Sequence, residues 1–399
     1  GMFQAALGGA ILFNPERHTD PIAIAAGFAV LLLPYSVIGP FAGALLDRWD
    51  RRFVLRWASV LRGVLIVATA ALLLAGAGET PIFILALAVV GVSRFVLAGV
   101  SAALPRVVRP SWLVPTNSVL VTTGTVVAAL GAGSAVAVIG IVGAGDRGSG
   151  YAVALAAIGS VIAAVVAGTF RRRQLGPIEG EERQRSTVRA VLAGLKTGAG
   201  AVWGSRGVTT AMIGIGAHRI VFGTNTLIMI LVLRAPDPEG RLPTGFAGFG
   251  LAVGAAAVGM LIAAVATPFV IPQIGRAKTV VGGLIIAVLV QATLVPVLDH
   301  ALLLVSALLL GFAGQCIKLS GDASMQIEIS DDRRGQVFAL QDTVFNLAFL
   351  GSIAASATVI APDGHSPGLA FAGAGIYALG LVAVATNSRR IQKTPTPVT

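Results

Sequence analysis

The sequence predicts an all-α membrane protein with 12 transmembrane helices in two pseudo-symmetric six-helix halves. Three observations predict this fold class: the composition, a series of apolar segments and an approximate internal repeat. Hydrophobic residues make up 55% of the 399 residues and charged residues only 12%, about half the charged fraction of a soluble globular protein. The mean hydropathy is +0.86, and the 50 glycines suit membrane helices that pack closely.

Twelve segments come close to the length of about 20 apolar residues that a bilayer span requires. They lie at residues 1–13, 22–46, 53–77, 82–105, 114–142, 151–170, 208–233, 245–272, 279–297, 301–328, 336–361 and 368–386. The first segment is short compared with the seventh, which is its counterpart in the repeat. We therefore expect the first helix to be truncated.

The chain repeats its pattern of hydropathy at an offset of about 221 residues, because the stretch from span four to span five resembles the stretch from span ten to span eleven. This repeat predicts four regions. They are an N-terminal six-helix half at 1–170, a cytoplasmic linker with an amphipathic helix at 171–207, a C-terminal six-helix half at 208–386 and a cytoplasmic tail at 387–399.

The basic residues are unevenly divided between the two sets of alternate loops. One set carries 21 of the 29 lysines and arginines, whereas the other carries only Arg17, Arg147, Arg234 and Arg241. Because cytoplasmic loops are enriched in Lys and Arg, we expect both termini in the cytoplasm. This topology accounts for the net charge of +11 without a nucleic-acid partner. A single cysteine excludes an internal disulfide, and no spacing predicts a metal site.

Three basic residues lie inside apolar spans: Arg94 in span four, Arg219 in span seven and Lys318 in span ten. A charge at the centre of a membrane helix costs about 2.5–3.5 kcal/mol on insertion scales, so it usually faces a cavity or a partner. Gln315, Lys318 and Asp322 are spaced i, i+3, i+7 and therefore share one face of span ten. The pattern favours a water-filled path through a membrane transporter.

The loop between spans two and three, GPFAGALLDRWDRRFVL, resembles the signature of the major facilitator superfamily. The matching residues are Gly43, Asp47, Arg48, Arg51 and Arg52. The resemblance implies the major facilitator fold and a gate in which Asp47 faces the start of helix eleven. The equivalent loop of the second half has Gly275, Arg276 and Lys278, but Pro272 near the aspartate position, so we expect a degenerate second gate.

In this superfamily helices one, four, seven and ten line the central cavity. The resemblance therefore implies a net-positive substrate cavity with Arg94, Arg219, Gln315, Lys318 and Asn225. In the alternative interpretation Lys318 pairs with Asp322 four residues away, and the two arginines bond to backbone carbonyls. We interpret the neighbouring His218 as a packed residue.

Coupling to protons requires a group that can change its charge while shielded from bulk water. The leading candidate is Asp322, followed by Glu328 and Asp342, which lie nearer the cytoplasmic ends of helices ten and eleven. We hypothesise that protonation of Asp322 competes with its pairing to Lys318.

The resemblance extends to bacterial exporters of the enterobactin-exporter type and their actinobacterial relatives. It implies a secondary active exporter of a small organic or amphiphilic, anionic molecule in the bacterial plasma (inner) membrane. We expect a monomer surrounded by membrane lipids, with no enzymatic activity, no cofactor and no metal. Two alternatives remain open: a lipid or glycolipid translocase of the same fold, and a transport-inactive membrane scaffold.

Overall fold

The computed structural model describes residues 1–12, 20–30, 50–109, 112–172, 174–175, 188–237 and 240–388. Within these ranges the secondary structure is helical, with no β-strand. The helices are α1 Met2–Leu12, α2 Pro21–Val30, α3 Arg51–Leu74, α4 Glu79–Val107, α5 Leu113–Val142, α6 Asp146–Thr169, α7 Val188–Gly204, α8 Arg206–Val232, α9 Gly245–Ile274, α10 Arg276–Thr293, α11 His300–Glu328, α12 Asp331–Ala357 and α13 Pro367–Ser388.

In the described part of the chain, nine helices are long and apolar enough to cross a membrane. Two shorter apolar stretches, Pro21–Val30 and Val126–Val142, also coincide with predicted spans. Most of the predicted second span lies outside the described residues, because the description of that segment ends at Val30. The all-helical membrane fold predicted from the sequence is confirmed.

The chain divides into two compact units, Gly1–Val191 and Leu192–Thr399. The boundary falls within the predicted linker 171–207, and the helix predicted in that linker corresponds to α7.

In the first unit, α3 packs against α4 and α6. The start of α3 is fixed by Asp50, whose carboxylate accepts a hydrogen bond from the backbone N–H of Arg52 at 3.0 Å, as expected of an N-cap aspartate. Further along α3, Gly63 lies directly against Ser160 of α6. Arg62 Nε donates a hydrogen bond to Ser160 Oγ at 2.9 Å, so a polar contact joins the two helices beside their closest approach.

In the second unit, α9 and α11 touch through glycines on both helices. A Cβ atom at Gly259 would overlap the carbonyl oxygen of Leu308, and one at Gly311 would overlap the backbone of Ala256. Small residues allow this backbone-to-backbone packing between membrane helices. Helix α9 passes directly into α10 through Gly275, whose φ of 85° is readily adopted only by glycine.

The predicted ninth span, 279–297, differs from the observed helix. Helix α10 begins at Arg276 and ends at Thr293, and a 3-10 turn follows at Val295–Val297. Pro296 lacks the N–H that a continuing α-helix would need. Leu298 then adopts a φ of 57°, which ends the segment.

Candidate functional site

The signature loop of the first half is only partly described by the structure. Three of its predicted gate residues lie outside the described residues: Gly43, Asp47 and Arg48. The two described arginines bind backbone carbonyls in and after the last turn of α6. Arg52 Nη2 donates to the Gly168 carbonyl at 2.9 Å, and Arg51 Nη1 donates to the Leu175 carbonyl, beyond the helix, at 3.3 Å. The position of Arg52 is favourable, because the last carbonyls of a helix lack partners and carry partial negative charge.

The corresponding loop of the second half contains an ion pair that sequence reasoning missed. Arg276, the first residue of α10, lies 3.1 Å from Glu328 at the end of α11. Glu328 also accepts hydrogen bonds from Ser205 Oγ at 2.5 Å and from the backbone N–H of Gly207 at 3.2 Å. Glu328 therefore joins the starts of α8 and α10 to the end of α11. These contacts fit a structural carboxylate better than the predicted proton-coupling role.

We expect Glu328→Gln to lower the thermal stability of the protein. The substitution removes the negative charge of Glu328, which pairs with Arg276 and accepts a hydrogen bond from the backbone N–H of Gly207 at the start of α8. Because both side chains of the ion pair are about a quarter exposed, we expect a loss of about 1 kcal/mol, equivalent to a Tm lower by about 2–4 °C. Differential scanning fluorimetry in detergent measures this shift. The control is Lys278→Gln, an exposed residue of the same loop; equal shifts in the two variants would contradict the assignment.

Lys318 and Asp322 form an ion pair, as the alternative interpretation of the sequence predicts. The distance from Lys318 Nζ to Asp322 Oδ2 is 2.5 Å. The second carboxylate oxygen accepts a weak hydrogen bond from the buried Gln341 of α12 at 3.5 Å. Gln315, one turn before Lys318, is half-buried. The face predicted on α11 is therefore a polar face that contacts α12.

Arg219 of α8 interacts electrostatically with Asp342 of α12. In the second unit Lys318 therefore pairs with a carboxylate, and Asp342 exerts an electrostatic influence on Arg219. The net-positive cavity remains a prediction. Arg94 is half-buried on α4 of the first unit and also has an interaction partner.

Asn225 and His218 occupy the packed interior of the second unit. The amide groups of Asn225 and Gln291 exchange two hydrogen bonds of 2.8 and 3.0 Å between α8 and α10, and both residues are buried. His218 Nδ1 lies 2.9 Å from Tyr377 Oη of α13, and its ring stacks on Phe222. These contacts agree with the interpretation of His218 as a packed residue. The Asn225 amide forms its hydrogen bonds with Gln291.

The described helices and their paired charges define a class of protein. Long apolar helices that carry cation–carboxylate pairs at membrane depth are typical of membrane transporters, where such groups mark substrate or ion pathways.

Comparison with known proteins identifies the family. Residues 1–352 match the model of the Major Facilitator Superfamily, and the chain belongs to this family. It is 42% identical over 397 residues to an uncharacterized MFS-type transporter of Mycobacterium tuberculosis (strain ATCC 25618 / H37Rv). The identity to an uncharacterized MFS-type transporter of Mycobacterium bovis (strain ATCC BAA-935 / AF2122/97) is the same. Each alignment covers 98% of this chain and 88% of the relative. The protein is a multi-pass membrane transporter rather than an enzyme.

Solved structures share the fold at low sequence identity. The nucleoside transporter NupG matches with a TM-score of 0.65 and 15% identity, over 98% of this chain and 97% of NupG. An auto-inhibited peptide transporter of the POT family matches with a TM-score of 0.68 and 13% identity, over 100% of this chain and 96% of that chain. These likenesses agree with the major facilitator fold expected from the signature loop.

Proposed function

We propose that the protein is a secondary active exporter of a small organic or amphiphilic anion, which it moves by alternating access. The observation that supports this proposal is the ion pair of Lys318 and Asp322 on α11, together with the electrostatic influence of Asp342 on Arg219. Charges are costly in lipid and are retained where they serve a pathway.

The ion pair with Lys318 gives Asp322 a role in the transport cycle. A substrate anion can bind Lys318 only by displacing Asp322, because the ammonium otherwise already has a negative partner. After the anion leaves, Asp322 pairs with Lys318 again and neutralises the empty site. The empty carrier then returns across the membrane without an unpaired charge, which would be expensive there.

Protonation of Asp322 shifts the competition between Asp322 and the anion for Lys318 in favour of the anion. A proton on Asp322 removes the negative partner of Lys318, so proton binding and anion binding favour each other. Charged or polar groups on the helices packed against this part of α11 include His218 and Arg219 of α8, Arg276 of α10, and Gln341 and Asp342 of α12. An inward proton gradient does not drive export with this coupling. Transport of the anion together with a proton is electroneutral, so the membrane potential, worth about 2.3 kcal/mol per charge per 100 mV, drives the anion outward only in cycles in which Asp322 stays ionised.

Asp322→Asn tests the proposal, because asparagine is neutral both while the anion is bound and while the empty carrier returns. Proteoliposomes loaded with the organic anion carboxyfluorescein would report net efflux under a potential that is negative inside, and exchange of internal for external dye. We expect the variant to retain exchange and to lose net efflux at least tenfold, because the empty carrier keeps an unpaired Lys318. Net efflux equal to that of the wild type would contradict the proposed role of Asp322.

A control separates this effect from simple loss of fold. In Lys318→Gln/Asp322→Asn the empty site is neutral, so return of the empty carrier is no longer impeded. We expect this double variant to keep the wild-type Tm, to bind the anion weakly and to show neither exchange nor a pH dependence of binding.

A further inference from the structure

A groove of about 770 Å³ runs along the outer side of α3 and α6 in the first unit. Its floor is made by small buried residues where the helices approach, including Ser59, Gly63 and Ser160. Its walls are apolar, formed by Val60, Val64, Val67, Val161 and Val165. All five valines are exposed, with relative exposures between 39% and 64%. On two membrane-spanning helices, such a surface is complementary to a lipid acyl chain.

The length of the groove matches one leaflet of a bilayer. From Arg56 to Val67 the lining residues of α3 follow one face of the helix over eleven residues. At a rise of 1.5 Å per residue this is about 16 Å, roughly half of the hydrocarbon thickness of about 30 Å. An acyl chain lying in the groove would therefore extend from the membrane surface to about the bilayer midplane.

One end of the groove carries positive charge. The Arg56 side chain is exposed and lies over Gly168, with its guanidinium 3.8 Å from the position that a Cβ atom would take there. Among the described residues, the Arg56 guanidinium has no hydrogen bond or ion pair. The Arg52 guanidinium binds the carbonyl of the same Gly168. Two guanidinium groups thus converge at the point where the apolar walls end.

Exposed aromatic residues mark the depth of this end in the membrane. Phe53 and Trp57, the neighbours of Arg56 on α3, are 59% and 53% exposed, and their ring centroids lie 6.2 Å apart. Tryptophan and other aromatic side chains collect at the boundary between the headgroups and the hydrocarbon. Arg56 therefore lies at the depth of the lipid phosphates.

We propose that the α3–α6 groove is a binding site for one anionic phospholipid of the surrounding membrane. The acyl chain lies against the valine walls, and the phosphate binds the Arg56 guanidinium, with Arg52 adding positive charge. A planar guanidinium suits phosphate oxygens, and the net-positive end favours a lipid headgroup without a compensating amine. This lipid is a bound component of the first unit, and Arg52 of the signature loop is the one residue that its site shares with those predicted for transport.

Native mass spectrometry of the full chain tests the proposal. Protein would be extracted from nanodiscs that contain equal amounts of phosphatidylglycerol and phosphatidylcholine, and the retained lipids would be counted. We expect one retained phosphatidylglycerol on the wild type. Arg56→Gln should reduce the preference for phosphatidylglycerol about fivefold, since a basic residue near the surface contributes about that factor. Arg147→Gln, an exposed arginine at the opposite end of α6, should leave it unchanged.

Filling the groove provides a second, independent variant. Val165→Trp places a large side chain in the groove, whereas Val166→Trp changes a neighbour of similar exposure, 52% against 64%, that does not line it. We expect only Val165→Trp to abolish retention of the lipid, with both variants keeping the wild-type Tm in detergent. Equal retention by both tryptophan variants, or equal retention of the two lipids by the wild type, would overturn the proposal.

Discussion

Replacing Arg219 with glutamine is expected to reduce transport at least about 30-fold, to the background of empty liposomes. Arg219 lies in the middle of α8 and interacts with Asp342 of α12. Asp342 is exposed, so loss of its interaction with Arg219 costs only about 1 kcal/mol or less. In this transporter the same change also removes a cation that the proposed substrate anion would contact.

A double variant separates these two consequences. Arg219→Gln/Asp342→Asn removes both charges, so we expect it to recover the thermal stability that Arg219→Gln loses. It should remain inactive, because the cation for the substrate is still missing. Dye efflux and scanning fluorimetry on the same preparations, with the exposed Lys278→Gln as control, provide both measurements. Recovery of transport in the double variant would show that Arg219 serves only to balance Asp342.

Replacing Gly259 with valine is expected to give the largest loss of stability. The new Cβ atom would overlap the carbonyl oxygen of Leu308 on α11, and the obstacle is backbone rather than a flexible side chain. Overpacking of this kind costs about 3 kcal/mol when neighbouring atoms cannot move aside. For a unit of this size we expect a Tm lower by about 6–12 °C.

Gly254→Val is the matched control for this prediction. Gly254 lies on the same helix, five residues earlier, but a Cβ atom there meets no atom within 4 Å. We expect this variant to unfold within about 2 °C of the wild type, since surface substitutions usually change stability by less than about 0.5 kcal/mol. Similar losses in both variants would mean that the α9–α11 contact does not limit stability.

The positions of the membrane helices could be predicted because their signal lies within each segment. A run of about 20 apolar residues identifies a span whatever it packs against. The end of α10 is an instructive exception. The apolar pattern continues to Val297, but Pro296 cannot donate the backbone hydrogen bond that an α-helix needs there, and the helix ends at Thr293.

Contacts within one helix were also accessible from the sequence, whereas contacts between helices were not. The spacing of Lys318 and Asp322 already suggested their pairing, because residues four apart meet on a helix. Nothing in the spacing indicated that Asp342 would interact with Arg219 or that Glu328 would meet Arg276. The net-positive cavity stays a prediction, since sequence spacing cannot reveal carboxylates that other helices contribute.

The buried amide pair shows a signal that could have been used. Gln291 and Asn225 are amide side chains within two long apolar helices. A polar side chain in lipid must find a hydrogen-bonding partner on a neighbouring helix. Matching amides across helices could therefore have predicted the contact between Asn225 and Gln291 before the structure was known.

Ligand-induced stabilisation tests most directly whether Arg219 and Lys318 of the second unit bind a substrate anion. Purified protein would be heated in detergent with matched anionic, neutral and cationic compounds, including siderophores and lysolipids. A ligand at about 100 times its Kd adds about 2.7 kcal/mol to the stability of the folded state. We predict stabilisation by anions that Arg219→Gln and Lys318→Gln abolish. Stabilisation by cations alone, or by anions equally in wild type and variants, would contradict the account.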